Sequence, residues 1–304
     1  MKHIFIINAN LGGVYDAEKI RNQLKSREDF EYLVFNTEYA GHERVLAEQM
    51  EDLFKDEKIR IYSCGGTGTF YNVLNGIHNL DRTEIAFLPC GVSCDFLKVF
   101  GPKRRYFRNI ENLIEGEVYP VDVIQTNQMR VMNNMILGAG VKGLKSVEHI
   151  RSVNKIFEPM AYLGTGVTSI FFDPVKEYEL EIDGVDYSGR YKQIFILNGC
   201  CCGSKYYPLP ASNPFDGYLN FLLLNEMKSI QFIKLLKHYK VGNTEELEKC
   251  GTILAAKKFS VKAKTNELLT INCDGEFEQG QIVEGEVLEH KLKFIVPKEV
   301  FRNE

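Results

Sequence analysis

The sequence predicts two domains, an α/β domain built on a parallel sheet and then a mainly antiparallel β domain. In the first third of the chain, short apolar runs alternate with stretches of helical apolar spacing, which is typical of parallel strands with helices on both faces. Beyond about Glu117, β-like runs follow one another with few long helices between them. We place the domains at 1–125 and 126–294, with the tail 295–304 returning to the first.

The first domain is predicted to contain four strands and three helices. Its strands are read from the apolar runs 3–8, 32–35, 59–63 and 84–88. Its helices are read from apolar residues at helical spacing over 16–25, 42–54 and 69–77. Ligands of such sheets bind at the carboxyl ends of the strands. We therefore expect one crevice to be lined by the loops after Asn8, Thr37, Ser63 and Leu88.

The second domain is predicted from β-like runs with two interruptions. Its strands are read at 118–126, 130–137, 177–182, 190–197, 258–263, 268–273 and 292–296. The pair Asp183-Gly184 predicts a turn inside a hairpin. Residues 227–239 read as a helix, and residues 154–168 are mixed, with an apolar stretch at 157–163 that is read either as core or as an acyl pocket.

A glycine-rich turn follows the third predicted strand. Gly65, Gly66 and Gly68 leave the backbone free to turn sharply and to approach a ligand without an intervening Cβ. A helix begins directly after them, and its positive end points backbone N–H groups outward. Such a turn is a site for an anion, most often a phosphate.

Composition excludes several classes of protein. The net charge of −4 argues against a dedicated nucleic-acid binder, although residues 103–108 form a basic stretch that is either a solvated loop or a patch for anionic headgroups. No apolar run reaches the ~18–20 residues that a membrane-spanning helix needs, and residues 1–8 are too short for a secretory signal. We therefore expect a cytoplasmic protein. Its eight cysteines, including Cys200, Cys201 and Cys202, are expected to be reduced and core-like rather than zinc ligands.

Three turns carry acidic residues, and each of them has both a structural and a functional interpretation. Asp95 follows the fourth strand and could cap a helix. Asp216-Gly217 is a turn signal, or a Mg²⁺ site that uses the carboxylate and nearby carbonyl oxygens. Asp274-Gly275-Glu276 is a hairpin turn, or a pair of carboxylates that includes a general base.

Five stretches occur in a fixed order along nearly the whole chain. They are residues 37–43 (TEYAGHE), 65–76 (GGTGTFYNVLNG), 89–97 (PCGVSCDFL), 198–220, which begins NG and ends DGYLN, and 274–276 (DGE). In this order they resemble the diacylglycerol kinase and sphingosine kinase catalytic-domain family, especially its bacterial soluble lipid kinases. The resemblance implies an α/β domain related to that of NAD kinases and an antiparallel β-sandwich.

The resemblance also implies ligands and roles. It implies ATP and Mg²⁺ as cofactors, with nucleotide contacts at Asn8, Thr37, Gly65, Gly66, Thr67, Gly68, Thr69, Gly91 and Asp95. Asp95 would help hold the nucleotide's Mg²⁺ through water. A structural Mg²⁺ is implied at Asp216, with main-chain groups around Asn213 and Tyr218. Asp274 would be the base that activates a lipid hydroxyl, with Glu276 beside it.

Several acids of the family pattern are replaced here, whereas its backbone glycines are kept. Thr67 stands at the Asp of GGDGT, and Tyr71-Asn72 stand at the Asn-Glu that follows. In the later loops, Val92, Cys94 and Asn220 stand at a Thr, an Asn and an Asp. Threonine carries no negative charge for Mg²⁺, and loss of a positioned catalytic group commonly lowers a rate ~10²–10⁴-fold.

Three functional hypotheses follow. The first is an ATP- and Mg²⁺-dependent kinase that phosphorylates a hydroxyl of diacylglycerol or a related lipid and meets that lipid at a membrane surface. The second is a catalytically impaired protein of the same fold that binds a nucleotide or a lipid. The third is a kinase for a soluble hydroxyl. A nucleotide and a lipid are the expected partners, with no nucleic acid, and a homodimer is kept as an option.

Overall fold

The computed structural model describes residues 1–9, 17–25, 27, 31–90, 94–141, 175–265 and 267–302 of the 304-residue chain. The chain divides into two compact units. The first comprises residues 1–123, 214–217 and 288–304, and the second comprises 124–213 and 218–287. The fold class is the predicted one, because the strands of the first unit pair in parallel and those of the second pair antiparallel.

The first unit is built on a parallel sheet. Its strands are β1 (Lys2–Ile7), β2 (Tyr32–Asn36), β3 (Ile59–Gly65), β4 (Thr83–Pro89), the first part of β5 (Glu117–Thr126) and the last part of β16 (Ile282–Val296). The parallel strands lie in the order β16-β4-β3-β1-β2. Its helices are α1 (Ala17–Leu24), α2 (His42–Leu53), α3 (Thr67–Gly76) and α4 (Ile110–Ile114).

Apolar side chains of the first unit form a core on the sheet. The Phe5 ring stacks on the buried Tyr62 ring with centroids 4.1 Å apart. Phe70 of helix α3 packs on Phe87 of strand β4 at 4.9 Å. Phe70 thereby fixes helix α3 against strand β4, and the helix also packs on β3, the strand before it. These contacts hold the glycine-rich turn at the end of β3.

A 3₁₀ segment, Phe96–Arg108, follows the fourth strand and begins directly after Asp95, where a helix start was expected. The segment is two short helices joined by a kink at Gly101, whose φ is 56°. Pro102 comes next and has no N–H to continue a helical ladder, which explains the break. A second 3₁₀ turn, Lys298–Val300, packs against this segment.

The second unit is built mainly of strands. Its strands are the end of β5, β6 (Arg130–Val131), β7 (Asn134–Gly138), β8 (Lys176–Ile182), β9 (Val185–Asp186), β10 (Gly189–Leu197), β11 (Leu219–Asn225), β12 (Gly251–Ala256), β13 (Lys258–Ala263), β14 (Leu269–Cys273), β15 (Glu276–Gly280) and the start of β16. Strands β6 to β15 pair antiparallel wherever the structure describes them. The helices of this unit are α5 (Ser229–Val241) and α6 (Thr244–Glu248). Helix α5 packs through Phe232 and Tyr239 onto a core that includes Phe195 and Leu222.

The runs predicted as strands in the second domain are strands in the structure, but the run 130–137 is divided into β6 and β7, and residues 292–296 belong to the first unit. Strands β9, β11, β12 and β15 were not predicted. The Asp-Gly pairs at 183–184 and 274–275 form turns as predicted, because Asp183 and Gly184 have φ of 48° and 79°, and Asp274 and Gly275 have φ of 54° and 98°. The mixed stretch 154–168 and the apolar stretch 157–163 lie outside the described residues.

All eight cysteines are free thiols; five are buried, and Cys90, Cys94 and Cys250 are partly exposed. Over the residues that the structure describes, helices are too short or too polar to cross a bilayer. Over the same residues, clusters of three or more metal-binding side chains are absent.

Candidate functional site

The glycine-rich turn joins strand β3 to helix α3. Gly66 precedes the helix in an extended conformation with φ −95° and ψ −170°, and Thr67 is its first residue. The first helical hydrogen bond runs from Phe70 N to Gly66 O at 3.1 Å. Helix geometry leaves the N–H groups of the first turn without intrahelical partners. Because Gly66, Thr67 and Gly68 are partly exposed, this end of the helix is accessible to an anion.

Three of the predicted nucleotide residues, Asn8, Thr37 and Thr69, make hydrogen bonds beside this turn. Asn8 Nδ2 donates to Thr69 Oγ1 at 3.0 Å, and Ala9 N donates to Thr37 Oγ1 at 3.0 Å. The backbone N–H of Asn8 donates to Cys64 O at 3.1 Å. The loops after strands β1, β2 and β3 therefore meet at one edge of the sheet, where the sequence predicted a crevice.

Glu43 also belongs to this network, and it was not predicted. Its Oε1 accepts from Asn8 Nδ2 at 2.9 Å, and the residue is 3% exposed. Its other oxygen, Oε2, is buried and has no hydrogen-bond partner within the described part of the chain. Glu43 ends the stretch 37–43 (TEYAGHE), so the sequence did place an acid in the same stretch as the predicted residue Thr37.

Gly65 and Gly66 differ in the room around them. A Cβ on Gly65 would lie 2.3 Å from Thr69 Oγ1, which a side chain cannot tolerate. A Cβ on Gly66 would have no described heavy atom within 4 Å apart from its chain neighbours. The first glycine is therefore required for packing, whereas the second faces space that no described residue occupies.

The loop after strand β4 is described only in part. Cys90 N donates to Gly65 O at 2.9 Å, so this loop begins against the glycine-rich turn. Gly91, a predicted nucleotide residue, lies outside the described residues. Asp95 is 6% exposed and forms an ion pair with Lys98, with Nζ 3.1 Å from Oδ1. Asp95 stands at the N-terminus of the 3₁₀ segment, but its side chain makes no capping bond to the described backbone there.

Two side chains near the glycine-rich turn are largely shielded from solvent. The Tyr71 side chain, which replaces an Asn of the family pattern, is 4% exposed. Burial raises the pKa of the Cys90 thiol to about 12, with a further contribution from the neighbouring Cys94. Cys90 is therefore a neutral thiol at physiological pH.

Asp122 holds the turn that contains Asp216. Asp122 N donates to Pro214 O at 2.9 Å, and Asp122 Oδ2 accepts from Gly217 N at 2.7 Å. Its Oδ1 accepts from His290 N at 2.7 Å. Asp122 is fully buried, and burial raises the pKa of its carboxyl group. Strand β5 carries this charge between the buried Val121 and Val123, which is the sequence signal that we missed.

The predicted metal residues Asp216, Asn213 and Tyr218 are all exposed. Asp216 belongs to the first unit, whereas Asn213 and Tyr218 belong to the second. The Lys257 ammonium lies 5.0 Å from the centre of the Tyr218 ring. One carboxylate with main-chain oxygens is a donor set that suits Mg²⁺, which keeps several water ligands of its own.

Asp274 sits in the hairpin turn between β14 and β15 and is 6% exposed. Its Oδ2 accepts from Met132 N at 2.7 Å, and its Oδ1 accepts from Asn133 N at 3.0 Å and Asn134 N at 2.9 Å. The carboxylate therefore fixes three consecutive backbone amides. Glu276, the second predicted catalytic residue, is partly exposed and pairs with Cys273 across the hairpin.

The Asn-Gly pair of the fourth stretch binds the same loop from another side. Asn198 Nδ2 donates to Met132 O at 2.7 Å, and the N–H groups of Asn198 and Gly199 donate to Asn133 O at 2.8 and 3.0 Å. Two stretches that are about 75 residues apart in sequence thus converge on residues 132–134, within the second unit. The sequence did not predict this convergence.

Two family models match the chain. The diacylglycerol kinase catalytic domain matches residues 2–126. The YegS C-terminal NAD kinase beta sandwich-like domain matches residues 125–296. A Staphylococcus aureus (strain Mu3) protein named "Putative lipid kinase" is 27% identical over 236 residues, which is 77% of this chain and 76% of that protein.

Solved structures share the fold. A diacylglycerol kinase from Bacillus anthracis superposes with a TM-score of 0.68 at 17% identity, over 98% of each chain. An NAD kinase from Archaeoglobus fulgidus, solved in complex with ATP, superposes with a TM-score of 0.52 at 13% identity, over 100% of this chain and 96% of that one. At these identities the likeness concerns the fold.

Proposed function

Since the chain belongs to the family that joins a diacylglycerol kinase catalytic domain to a YegS-type β-sandwich domain, we propose that it is a lipid kinase that uses ATP and Mg²⁺. The acceptor would be a hydroxyl of diacylglycerol or a related lipid. The observation that carries the proposal is the glycine-rich turn at the start of helix α3, beside which Asn8 bonds to Thr69 and the backbone of Ala9 bonds to Thr37.

Nucleotide binding would use backbone groups more than acids. The N–H groups at Gly66, Thr67 and Gly68 would donate to phosphate oxygens, and the helix dipole would favour their negative charge. The replacement of an acid by Thr67 removes one carboxylate from this end of the site but leaves those donors in place. Thr37 and Asn8 would line the same edge of the sheet.

Mg²⁺ would neutralise charge on the transferred phosphoryl group when it is bound. Asp95 would help to hold the ion at the nucleotide, provided that its ion pair with Lys98 opens. Asp216 would hold a structural ion together with main-chain groups around Asn213 and Tyr218. The buried Asp122 would fix the turn around Asp216 through Pro214 and Gly217.

Proton removal from the lipid hydroxyl would fall to the carboxylates of the DGE turn. Asp274 accepts hydrogen bonds from three backbone amides and so is held in one orientation. A carboxylate has about four lone-pair sites, so these bonds compete with a substrate proton for Asp274. Glu276 is partly exposed and is the second candidate for the base.

A catalytically impaired protein that binds a nucleotide or a lipid is the alternative function. Two observations favour it: Thr67 supplies no carboxylate, and both Asp274 oxygens are used by the backbone. This alternative predicts saturable nucleotide binding without phosphoryl transfer.

The test is an incubation of the purified protein with labelled ATP, Mg²⁺ and a panel of lipids in mixed micelles. A labelled lipid that disappears when Mg²⁺ is chelated supports the kinase. A calorimetric titration with ATP in the same preparation separates the alternatives, because binding without labelled lipid supports the impaired protein. No heat and no labelled lipid would refute both.

A further inference from the structure

An exposed surface of the first unit combines basic and aromatic side chains. We define this aromatic–basic surface by Arg104, Arg105, Arg108, Tyr119 and Phe301. The stretch 101–108 has four basic residues and no acidic one, in a chain whose net charge is −4. The three arginines are exposed, and so are both aromatic residues. The proposed kinase chemistry makes no use of them.

The rings of Tyr119 and Phe301 are exposed, but each packs against another ring. Tyr119 is 37% exposed and Phe301 is 48% exposed, and their rings stack with centroids 5.2 Å apart. The edge of Tyr119 meets Phe215 at 5.1 Å, and Phe215 contacts Phe100 at 6.0 Å. Phe100 in turn stacks on the fully buried Phe294. A row of rings thus runs from the core to the surface.

Backbone contacts place the arginines beside these rings. Lys103 Nζ donates to Val300 O at 2.9 Å and to Arg302 O at 2.7 Å, which ties the 3₁₀ segment 96–108 to the turn 298–300. The guanidinium of Arg105 lies 4.9 Å from the centre of the Tyr106 ring. The Lys103 ammonium is therefore used in these contacts, whereas the Arg104 and Arg108 residues are exposed at the surface.

We propose that the aromatic–basic surface docks the protein onto a bilayer that contains anionic phospholipid. Aromatic rings with one wet edge settle at the headgroup level of a membrane, and arginine pairs readily with phosphate. A protein of net negative charge is repelled by an anionic bilayer unless it presents a local basic patch. The inference rests on the proposed lipid kinase function, since a lipid acceptor must be reached at a membrane surface.

The charges and the ring stacking of this surface favour a bilayer over nucleic acid as its partner. Readers of single-stranded nucleic acid line a basic groove with rings that stack on bases, whereas here the two rings stack on each other. One acid, Glu299, lies within the turn and is 4.0 Å from Arg302. The stretch 101–108, which holds the three arginines of the surface, contains no acidic residue.

The test is sedimentation of the full chain with vesicles, without nucleotide. Vesicles of phosphatidylcholine alone are compared with vesicles of equal parts phosphatidylcholine and phosphatidylglycerol. We expect binding to the mixed vesicles only, weakened by salt. The double variant R104Q/R105Q should bind on the order of 30-fold more weakly, since each basic residue near an anionic surface contributes about fivefold. Phe301→Ala should also weaken binding.

The matched control is K234Q/K237Q, which removes two exposed charges from helix α5 of the second unit. It should bind like the wild type. Equal binding by R104Q/R105Q and the wild type would overturn the proposal, as would equal losses in both double variants. Retention on single-stranded RNA with no vesicle binding would overturn it too.

Two measurements distinguish an error in the docking proposal from an error in the proposed kinase function. Phosphorylation of a short-chain, water-soluble diacylglycerol does not need a membrane. If that reaction proceeds and mixed vesicles are not bound, the docking surface is wrong while the kinase stands. If the vesicles are bound through these arginines and no acceptor is phosphorylated, the surface stands and the kinase is wrong.

Discussion

Asn8 and Glu43 are joined across the edge of the parallel sheet, with Asn8 Nδ2 2.9 Å from Glu43 Oε1. The same nitrogen donates to Thr69 Oγ1 at 3.0 Å. The amide thus bridges helix α2 and helix α3, and it partly satisfies a carboxylate that is 3% exposed. Burial of a carboxylate is unfavourable unless it is hydrogen-bonded, so the two residues should be energetically coupled.

Asn8→Ala should lower the free energy of unfolding by about 1–3 kcal/mol, because the Glu43 charge loses a buried donor. Adding Glu43→Gln should recover part of this loss by removing the buried charge. Urea unfolding of both single variants and the double variant measures the coupling. The control is Glu48→Gln, which changes an exposed acid on the same helix. Its effect on the free energy of unfolding should add to that of Asn8→Ala. Additivity within about 0.5 kcal/mol for the Glu43 pair would contradict the coupling.

Gly65 and Gly66 should respond differently to one added methyl group. Gly65→Ala should destabilise the protein by about 1–3 kcal/mol, because its Cβ would overlap Thr69. Gly66→Ala should change the free energy of unfolding by less than about 1 kcal/mol, because the exchange affects only the N-cap position of helix α3. Its methyl group would nevertheless enter the space in front of the helix. We expect calorimetry to show weaker ATP binding for Gly66→Ala at unchanged fold, and unchanged affinity would place the nucleotide elsewhere.

Thr67 allows a direct test of the missing acid. Thr67→Asp puts a carboxylate in the first turn of helix α3, where the helix dipole stabilises it by about 0.3–1 kcal/mol. A carboxylate there also supplies a ligand for Mg²⁺. ATP affinity should therefore become more dependent on Mg²⁺ in Thr67→Asp than in the wild type or in Thr67→Asn. Equal Mg²⁺ dependence in all three proteins would show that residue 67 does not face the ion.

The roles of Asp274 and Glu276 can be separated. Asp274→Asn keeps the left-handed backbone conformation, which Asn also tolerates, but its amide can accept through one atom only. We expect a loss of about 1–3 kcal/mol in unfolding free energy, because a backbone N–H of residues 132–134 loses its acceptor. Glu276→Gln should leave stability unchanged and lower only phosphoryl transfer. A fully stable Asp274→Asn protein would contradict the anchoring role.

The parallel sheet was predictable because each of its strands is marked by its own local pattern. Apolar runs flanked by helical spacing identify β1 to β4 without knowledge of their partners. Strand β15 (Glu276–Gly280) is different, since its sequence EFEQG is mostly polar and becomes a strand by pairing with β14 across the Asp274-Gly275 turn. Strand β11 is a continuous apolar run, which periodicity cannot distinguish from a buried helix.

The candidate site was predicted where the backbone determines it and missed where side chains from distant elements meet. The glycines of the turn were identified from sequence because they mark a local conformation. Glu43 and Asp122 were missed because their partners, Asn8 and Gly217, are 35 and 95 residues away. Only the fold brings such pairs together.

Asp122 should make stability depend on pH in a defined direction. Burial raises the pKa of its carboxyl group, so the folded protein binds this proton more tightly than the unfolded chain does. The contribution of Asp122 to stability is then full below the unfolded pKa of about 3.9, and it is lost as pH rises through the folded pKa. Asn cannot titrate, so the difference in unfolding free energy between the wild type and Asp122→Asn should shrink as pH rises through that window.

Asp186 provides a control of opposite sign. Hydrogen bonds from the Ser188 hydroxyl and backbone N–H lower the pKa of the Asp186 carboxyl group. Its contribution to stability is present above the unfolded pKa and is lost as pH falls through the folded pKa. The difference between the wild type and Asp186→Asn should therefore grow as pH rises. Denaturant unfolding at a series of pH values measures both differences. If the difference for Asp122→Asn grew as pH rises, the hydrogen bonds that Asp122 accepts from Gly217 and His290 would outweigh its burial.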